Sequence, residues 1–111
     1  VLCNDYFHSV DFFTNYSMTI PCGLYRHYKG NDYFVFQVAT HSETRESLVF
    51  YRCLYGDYSW WVRPLDMFME TVELAGETIP RFLFVRSVNE QELMAFMASS
   101  VNVETISGYL S

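Results

Sequence analysis

GLYRHYKGNDYFVFQVAT, residues 23–40, is the stretch on which the fold turns. Tyr25, His27 and Lys29 alternate with Leu24, Arg26 and Tyr28, the period of two that belongs to a strand. Gly30 and Asn31 then offer a two-residue turn, because glycine takes positive φ without steric cost and asparagine tolerates it. From Asp32 to Ser42 the extended pattern resumes, rich in aromatic and β-branched residues. Phe34, Phe36 and Val38 share one face, and Tyr33, Val35, Gln37 and Ala39 the other. The stretch reads as a β-hairpin.

Downstream, the β signal continues. ESLVFYRCLY, Glu46 to Tyr55, is apolar on both faces and so reads as an interior strand. Trp60 to Arg63 forms another, ended by Pro64, which cannot donate a ladder hydrogen bond. Asp66, Met67 and Phe68 suggest one helical turn. METVEL and IPRFLFV pair as a hairpin around Ala75, Gly76 and Glu77. After Val85 the pattern changes. Ser87, three residues before Glu90, suggests a capping box, and a short helix is expected from about Asn89 to Ala98. The polar tail beyond it is expected to be loosely held.

Upstream, the first 17 residues carry neither Lys nor Arg and show no steady period. They have neither a basic leader nor a continuous apolar run, so they do not read as a signal peptide. Met18 is expected to lie near the start of the domain, with residues 1–17 an extension. Its five aromatics, Tyr6, Phe7, Phe12, Phe13 and Tyr16, are available to pack as an extra strand or short helix. The expected division is residues 1–17 as extension, 18–88 as a small β domain, and 89–111 as short helix and tail. The architecture expected is mainly β: a small SH3-like barrel of five or six short antiparallel strands with a short C-terminal helix. An open sheet is the competing form.

The chain has 111 residues, half of them hydrophobic and 19% aromatic. That suits one domain with a core rich in rings, each of which buries a large area. No apolar run is long enough for a transmembrane helix, so no membrane role is expected. The net charge of −6 argues against non-specific nucleic-acid binding. Its distribution tempers that: all seven basic residues lie between Arg26 and Arg86, beside eight acids, so the middle of the chain is nearly neutral. A local basic face there is compatible with the total. Three cysteines without CxxC spacing read as reduced thiols of a cytoplasmic protein, with Cys53 a small core residue.

The words GLYRHYKGNDY, VATHSETRE, FYRCLYGD, WVRPLDMF and PRF, in that order from about Gly23 to Phe84, resemble the bacterial family called domain of unknown function 1653. The resemblance implies a small cytoplasmic bacterial domain, often a stand-alone protein. It carries over no catalytic residue, because the family has no assigned activity. Members typically begin close to the GxYRHYKG words, in keeping with residues before Met18 being additional.

Three constellations are candidates for a site. The first is Tyr25, Arg26, His27, Tyr28 and Lys29, whose plainer reading is a strand and turn with tyrosine hydroxyls and basic stems at the rim. The second is the connection holding His41, Glu43 and Glu46, most of which a hairpin loop explains. One of those glutamates is expected to pair with Arg63, whose neighbours suggest a partly buried guanidinium. The third is Tyr55, Asp57, Trp61 and Arg63. Trp60 and Trp61 must point to opposite faces, and an exposed tryptophan beside Tyr55 and Tyr58 would be a stacking platform.

No zinc-finger, HExxH, P-loop or nucleophile-elbow spacing is present, so no catalytic residue, metal ligand or cofactor is assigned. The function expected is a binding module taking a nucleic acid, a nucleotide or an extended peptide in an aromatic and arginine-lined groove. The alternatives are a subunit of a larger assembly, a homo-oligomer included, and, last, a small metal-dependent hydrolase using His27, His41, Glu43, Glu46 and Asp57. An enzyme is the less favoured class.

Overall fold

The computed structural model describes residues 19–110, so the expectations for residues 1–17 lie outside the described residues. Seven strands and three short helices follow in order. They are β1 (Gly23–His27), β2 (Asp32–Thr40), β3 (Ser47–Cys53), β4 (Trp60–Pro64), α1 (Leu65–Phe68), β5 (Thr71–Leu74), β6 (Glu77–Pro80), β7 (Phe82–Arg86), α2 (Glu90–Met97) and α3 (Val103–Leu110). Five strands form one antiparallel sheet in the order β4-β3-β2-β1-β7, and β5 and β6 form a separate hairpin. Two left-handed residues, Ala75 and Gly76, make the turn of that hairpin. IPRFLFV does not run as one strand. It breaks at Arg81, and only its second half joins the main sheet.

No closed barrel is found: β4 and β7 are edges, with no ladder between them among the described residues. The reason is that both faces of the sheet are apolar and each has its own cover. On one face Tyr25, Tyr33, Val49, Tyr51 and Phe82 pack with Leu65 and Phe68 of α1. Phe68 stacks flat on Phe82, with ring centroids 4.2 Å apart. On the other face Leu24, Phe34 and Leu54 pack with Val88, Phe96 and Ile106 from the C-terminal segment. Burying a ring or branched chain of this kind contributes about 1.5–3 kcal/mol.

Strand alternation holds through Val35 and then fails. Val35 pairs with Tyr51 but Gln37 pairs with Phe50, so the register shifts by one between them. The extra residue is a bulge, which turns the strand over. Val38 therefore packs with Tyr33 and Val35, while Phe34 and Phe36 stay on the helical face.

The helix after β7 begins as a capping box, but Asn89 and not Ser87 is the cap. The Asn89 side chain accepts from the Glu92 amide at 2.8 Å, and Glu92 accepts from the Asn89 amide at 3.0 Å. The tail expected to be loose instead forms α3, with Ile106 only 1% exposed. Ile106, Tyr109 and Leu110 join the core on the helical face, which a composition rich in Ser, Thr and Glu conceals.

Glu92 joins these pieces. Its carboxylate receives both terminal nitrogens of Arg86, at 2.9 and 2.5 Å, and Arg86 also donates to the Tyr109 carbonyl of α3 at 3.2 Å. The Arg86 bonds, ahead of the opposing effect of burial, hold the Glu92 carboxyl below its ordinary 4.5. A carboxyl depressed by folding adds stability above its unfolded value and loses it as pH falls through the folded value. Glu92→Gln is expected to cost about 2 kcal/mol at pH 7, less than for a fully buried pair because water reaches Arg86. Urea unfolding between pH 7 and pH 3 checks this: the wild-type stability should decline below about pH 4.5, and the variant's curve should be flatter there.

Candidate functional site

The β3–β4 connection shapes a cleft on the α1 face of the sheet. Gly56 and Tyr58 take left-handed conformations. Asp57 Oδ1 accepts from the Ser59 amide at 3.1 Å, and the Cys53 amide donates to the Ser59 carbonyl at 3.0 Å. Period two then brings the odd-numbered residues to one side. Tyr51, Cys53 and Tyr55 face Ser59, Trp61 and Arg63, with Tyr33 of β2 alongside. Together with Asp57 they line an open cleft of about 330 Å³.

Trp61 lies opposite Tyr51 in the register and is 53% exposed. Its indole Nε1 donates to Ser59 Oγ at 2.7 Å, which fixes the ring over the cleft. Arg63 makes one long bond, Nε to the Tyr51 hydroxyl at 3.5 Å, and its guanidinium sits 5.8 Å from the centre of the Phe82 ring. The expected pair with Glu43 or Glu46 is not formed, and among the described residues no carboxylate lies within ion-pair distance of Arg63. Although Arg63 pairs with Val49, near the Ser47 end of β3, both glutamates are exposed in the β2–β3 loop.

The two ends of the cleft differ in charge. At one, the exposed Asp57 is held below the usual carboxylate range, chiefly by hydrogen bonding with Ser59, so it is ionised at neutral pH. At the other, Arg63 belongs to a basic group with Lys29 and Arg81 around His27. Burial first, then these three cations, push the His27 imidazole down, which keeps it neutral at neutral pH. His27 packs edge-on against Phe82 at 4.9 Å, and its Nδ1 accepts from the Lys29 amide at 3.1 Å. Arg81 reaches Glu70 at 3.3 Å, but its Nε is buried with no hydrogen-bond partner among the described residues. Between the ends, Tyr33 and Tyr55 share a hydroxyl hydrogen bond of 2.9 Å. Burial, then that bond, push the Tyr33 phenol up, so it stays protonated.

The structure sorts the twelve candidate residues into separate groups. Tyr55, Asp57, Trp61 and Arg63 come together in the cleft, and His27 and Lys29 stand behind its basic end. Tyr28 stacks on His27 at 4.6 Å. Tyr25 is core, its hydroxyl donating to the Pro21 carbonyl at 2.6 Å. Arg26 lies on the opposite face, paired with Asp32 at 2.7 Å. His41 organises its own loop, Nδ1 accepting from the amides of Glu43 and Thr44, and Glu43 and Glu46 are exposed there. The hydrolase set of His27, His41, Glu43, Glu46 and Asp57 is therefore not assembled, and among the described residues no three metal-ligating side chains converge. Tyr33, Tyr51, Ser59 and Arg81 were absent from the sequence candidates. Three of them were readable by alternation, since Tyr51 shares a face with Tyr55, and Ser59 with Trp61 and Arg63, and Tyr33 with both through its pairing to Cys53.

What these features define is a mainly β domain with an open, ring-lined cleft, basic at one end and acidic at the other. The chain belongs to the family described as Protein of unknown function (DUF1653), whose profile matches residues 23–84. It is similar to a crystal structure of a protein of that family from Bordetella bronchiseptica. The two are 36% identical, with a TM-score of 0.57 over 63% of this chain and 92% of the other. No match was found among curated proteins. The matched residues include every residue of the cleft, and α2 and α3 lie beyond them. No helix among the described residues is long and apolar enough to cross a membrane.

Proposed function

We propose that this domain is a binding module that takes a nucleic acid, a nucleotide or an extended peptide in the cleft between Tyr55, Trp61 and Arg63. One observation carries the reading: Arg63 faces an open cleft beside a half-exposed tryptophan, and among the described residues no carboxylate pairs with it. A guanidinium so placed offers bidentate donors to a ligand anion, and the indole offers a face for a base, a proline or a cation. The curl that brings Arg63 of one edge strand over Phe82 of the other supports the comparison with SH3-like modules, which is an analogy of fold only.

Arg63→Gln is expected to weaken an anionic ligand by roughly ten- to a hundredfold. Trp61→Ala should weaken a stacked one by at least tenfold. Tryptophan fluorescence, titrated with mononucleotides, a single-stranded oligonucleotide and a proline-rich peptide, reads both. If none of the three changes the signal of the wild type, the reading is wrong. A second reading, a subunit of a larger assembly, is favoured by the edge strand β7, which exposes Leu83 and Val85. Light scattering that finds a monomer at high concentration removes it.

A further inference from the structure

Within that binding reading, we propose that the cleft holds one nucleoside monophosphate unit, its base on Trp61, its phosphate at Arg63 and its base edge toward Ser59 and Asp57. Three features of the cleft select this ligand class. The first is size. At about 330 Å³ the cleft is near the lower limit for small-ligand sites, room for one ring system and one charged group and too little for a row of stacked bases. The second is spacing. Trp61 and Arg63 are alternate residues of one strand, about 7 Å apart, which matches the span from a base to its own 5′ phosphate.

The third is the order of charges along β4 and the loop before it. Cations gather at one end, where Arg63 stands with Lys29 and Arg81 around His27 and Phe82. At the opposite end Asp57 is acceptor-only, and Ser59 Oγ accepts from Trp61 while its own hydroxyl is directed to the Asp57 carboxylate. A carboxylate there repels phosphate and attracts an exocyclic amino group, so bases that carry one on that edge are favoured over uracil. A long single strand is disfavoured because it needs a basic track, and this chain has a net charge of −6. A peptide lacks the anion that Arg63 needs at this distance from a ring.

Calorimetric titration of the full chain with AMP, adenosine, UMP, a 5′-phosphorylated hexa-adenylate and a proline-rich peptide tests the proposal. AMP should bind, adenosine at least tenfold more weakly. Arg63→Gln should abolish that difference while leaving adenosine unchanged, and Asp57→Asn should reduce the preference for AMP over UMP. Circular dichroism establishes that both variants, which alter partly or fully exposed side chains, remain folded. Competition between the hexa-adenylate and AMP would assign the unit to a strand end, and its absence to the free nucleotide. Equal binding of AMP and adenosine, or an Arg63→Gln protein that still distinguishes them, overturns the proposal. Binding of the peptide alone overturns it and leaves the binding module standing. Silence from every probe overturns both.

Discussion

Gly23→Ala is expected to destabilise the domain by roughly 3 kcal/mol, more than any change in the cleft. Two costs combine. Gly23 has φ +141°, a conformation that side chains of L residues rarely adopt, worth about 1–3 kcal/mol. A Cβ built there would also lie 2.4 Å from the carbonyl oxygen of Arg86, which is backbone and cannot swing aside. Relieving such an overlap costs about 1–3 kcal/mol more. The contact exists because β1 and β7 come together here, Leu24 opposite Arg86, with a register shift between Leu24 and Tyr25. Gly30→Ala is the control. Its φ is +107°, but nothing lies within 4 Å of the added carbon, so it should show only the conformational part. Urea unfolding of the two variants separates the terms. Equal losses would mean that the approach of the strands to each other is unimportant.

The second large effect is expected at Arg52, which is 4% exposed and, among the described residues, has no acid for a partner. Its Nε donates to the Tyr58 carbonyl at 2.8 Å, and one terminal nitrogen donates to the carbonyls of Phe96 at 2.8 Å and Ala98 at 2.7 Å. The last two are at the C-terminus of α2, where carbonyls lack helical partners and the helix dipole favours a cation. The guanidinium also lies 5.2 Å from the Trp60 ring. Burial pulls its pKa down, though an arginine remains charged. Arg52→Met keeps most of the volume and removes every donor, and should cost about 3 kcal/mol. Arg52→Lys should recover less than half of this, since a point charge cannot serve carbonyls on two sides. Hydrogen exchange should show the loss at α2 and the β3–β4 loop before the rest of the sheet. Uniform exchange across the domain would deny Arg52 this linking role.

Much of the sheet was legible because its periodicity is local. β1 to β4, the α1 turn and the β5–β6 hairpin are announced by alternation, glycine and proline. The departures come from interactions that join distant residues. A bulge at Phe36 moves Val38 to the other face, and no residue type in DYFVFQVATHS marks it. The barrel expected from one apolar face gave way to an open sheet once a second layer, α2 and α3, covered the other. Arg52 looked like an ordinary strand residue, because its partners lie 44 and 46 positions away. Of the third constellation, Tyr55, Asp57, Trp61 and Arg63 line one cleft, and period two is what places Tyr55, Trp61 and Arg63 on one side. The glutamate partner expected for Arg63 is not formed, because charge alone does not show which way a loop side chain turns, and Glu43 and Glu46 are exposed.

The central claim is that Trp61 and Arg63 face a ligand. A ¹⁵N–¹H correlation spectrum recorded during titration with AMP tests it most directly, because the molecule has two tryptophans and only Trp61 lines the cleft. The Trp61 indole and Arg63 Nε signals should move and saturate together, while the Trp60 indole, on the helical face beside Phe34, stays in place. Movement of Trp60 without Trp61, or of neither with nucleotide, oligonucleotide or peptide, would contradict it.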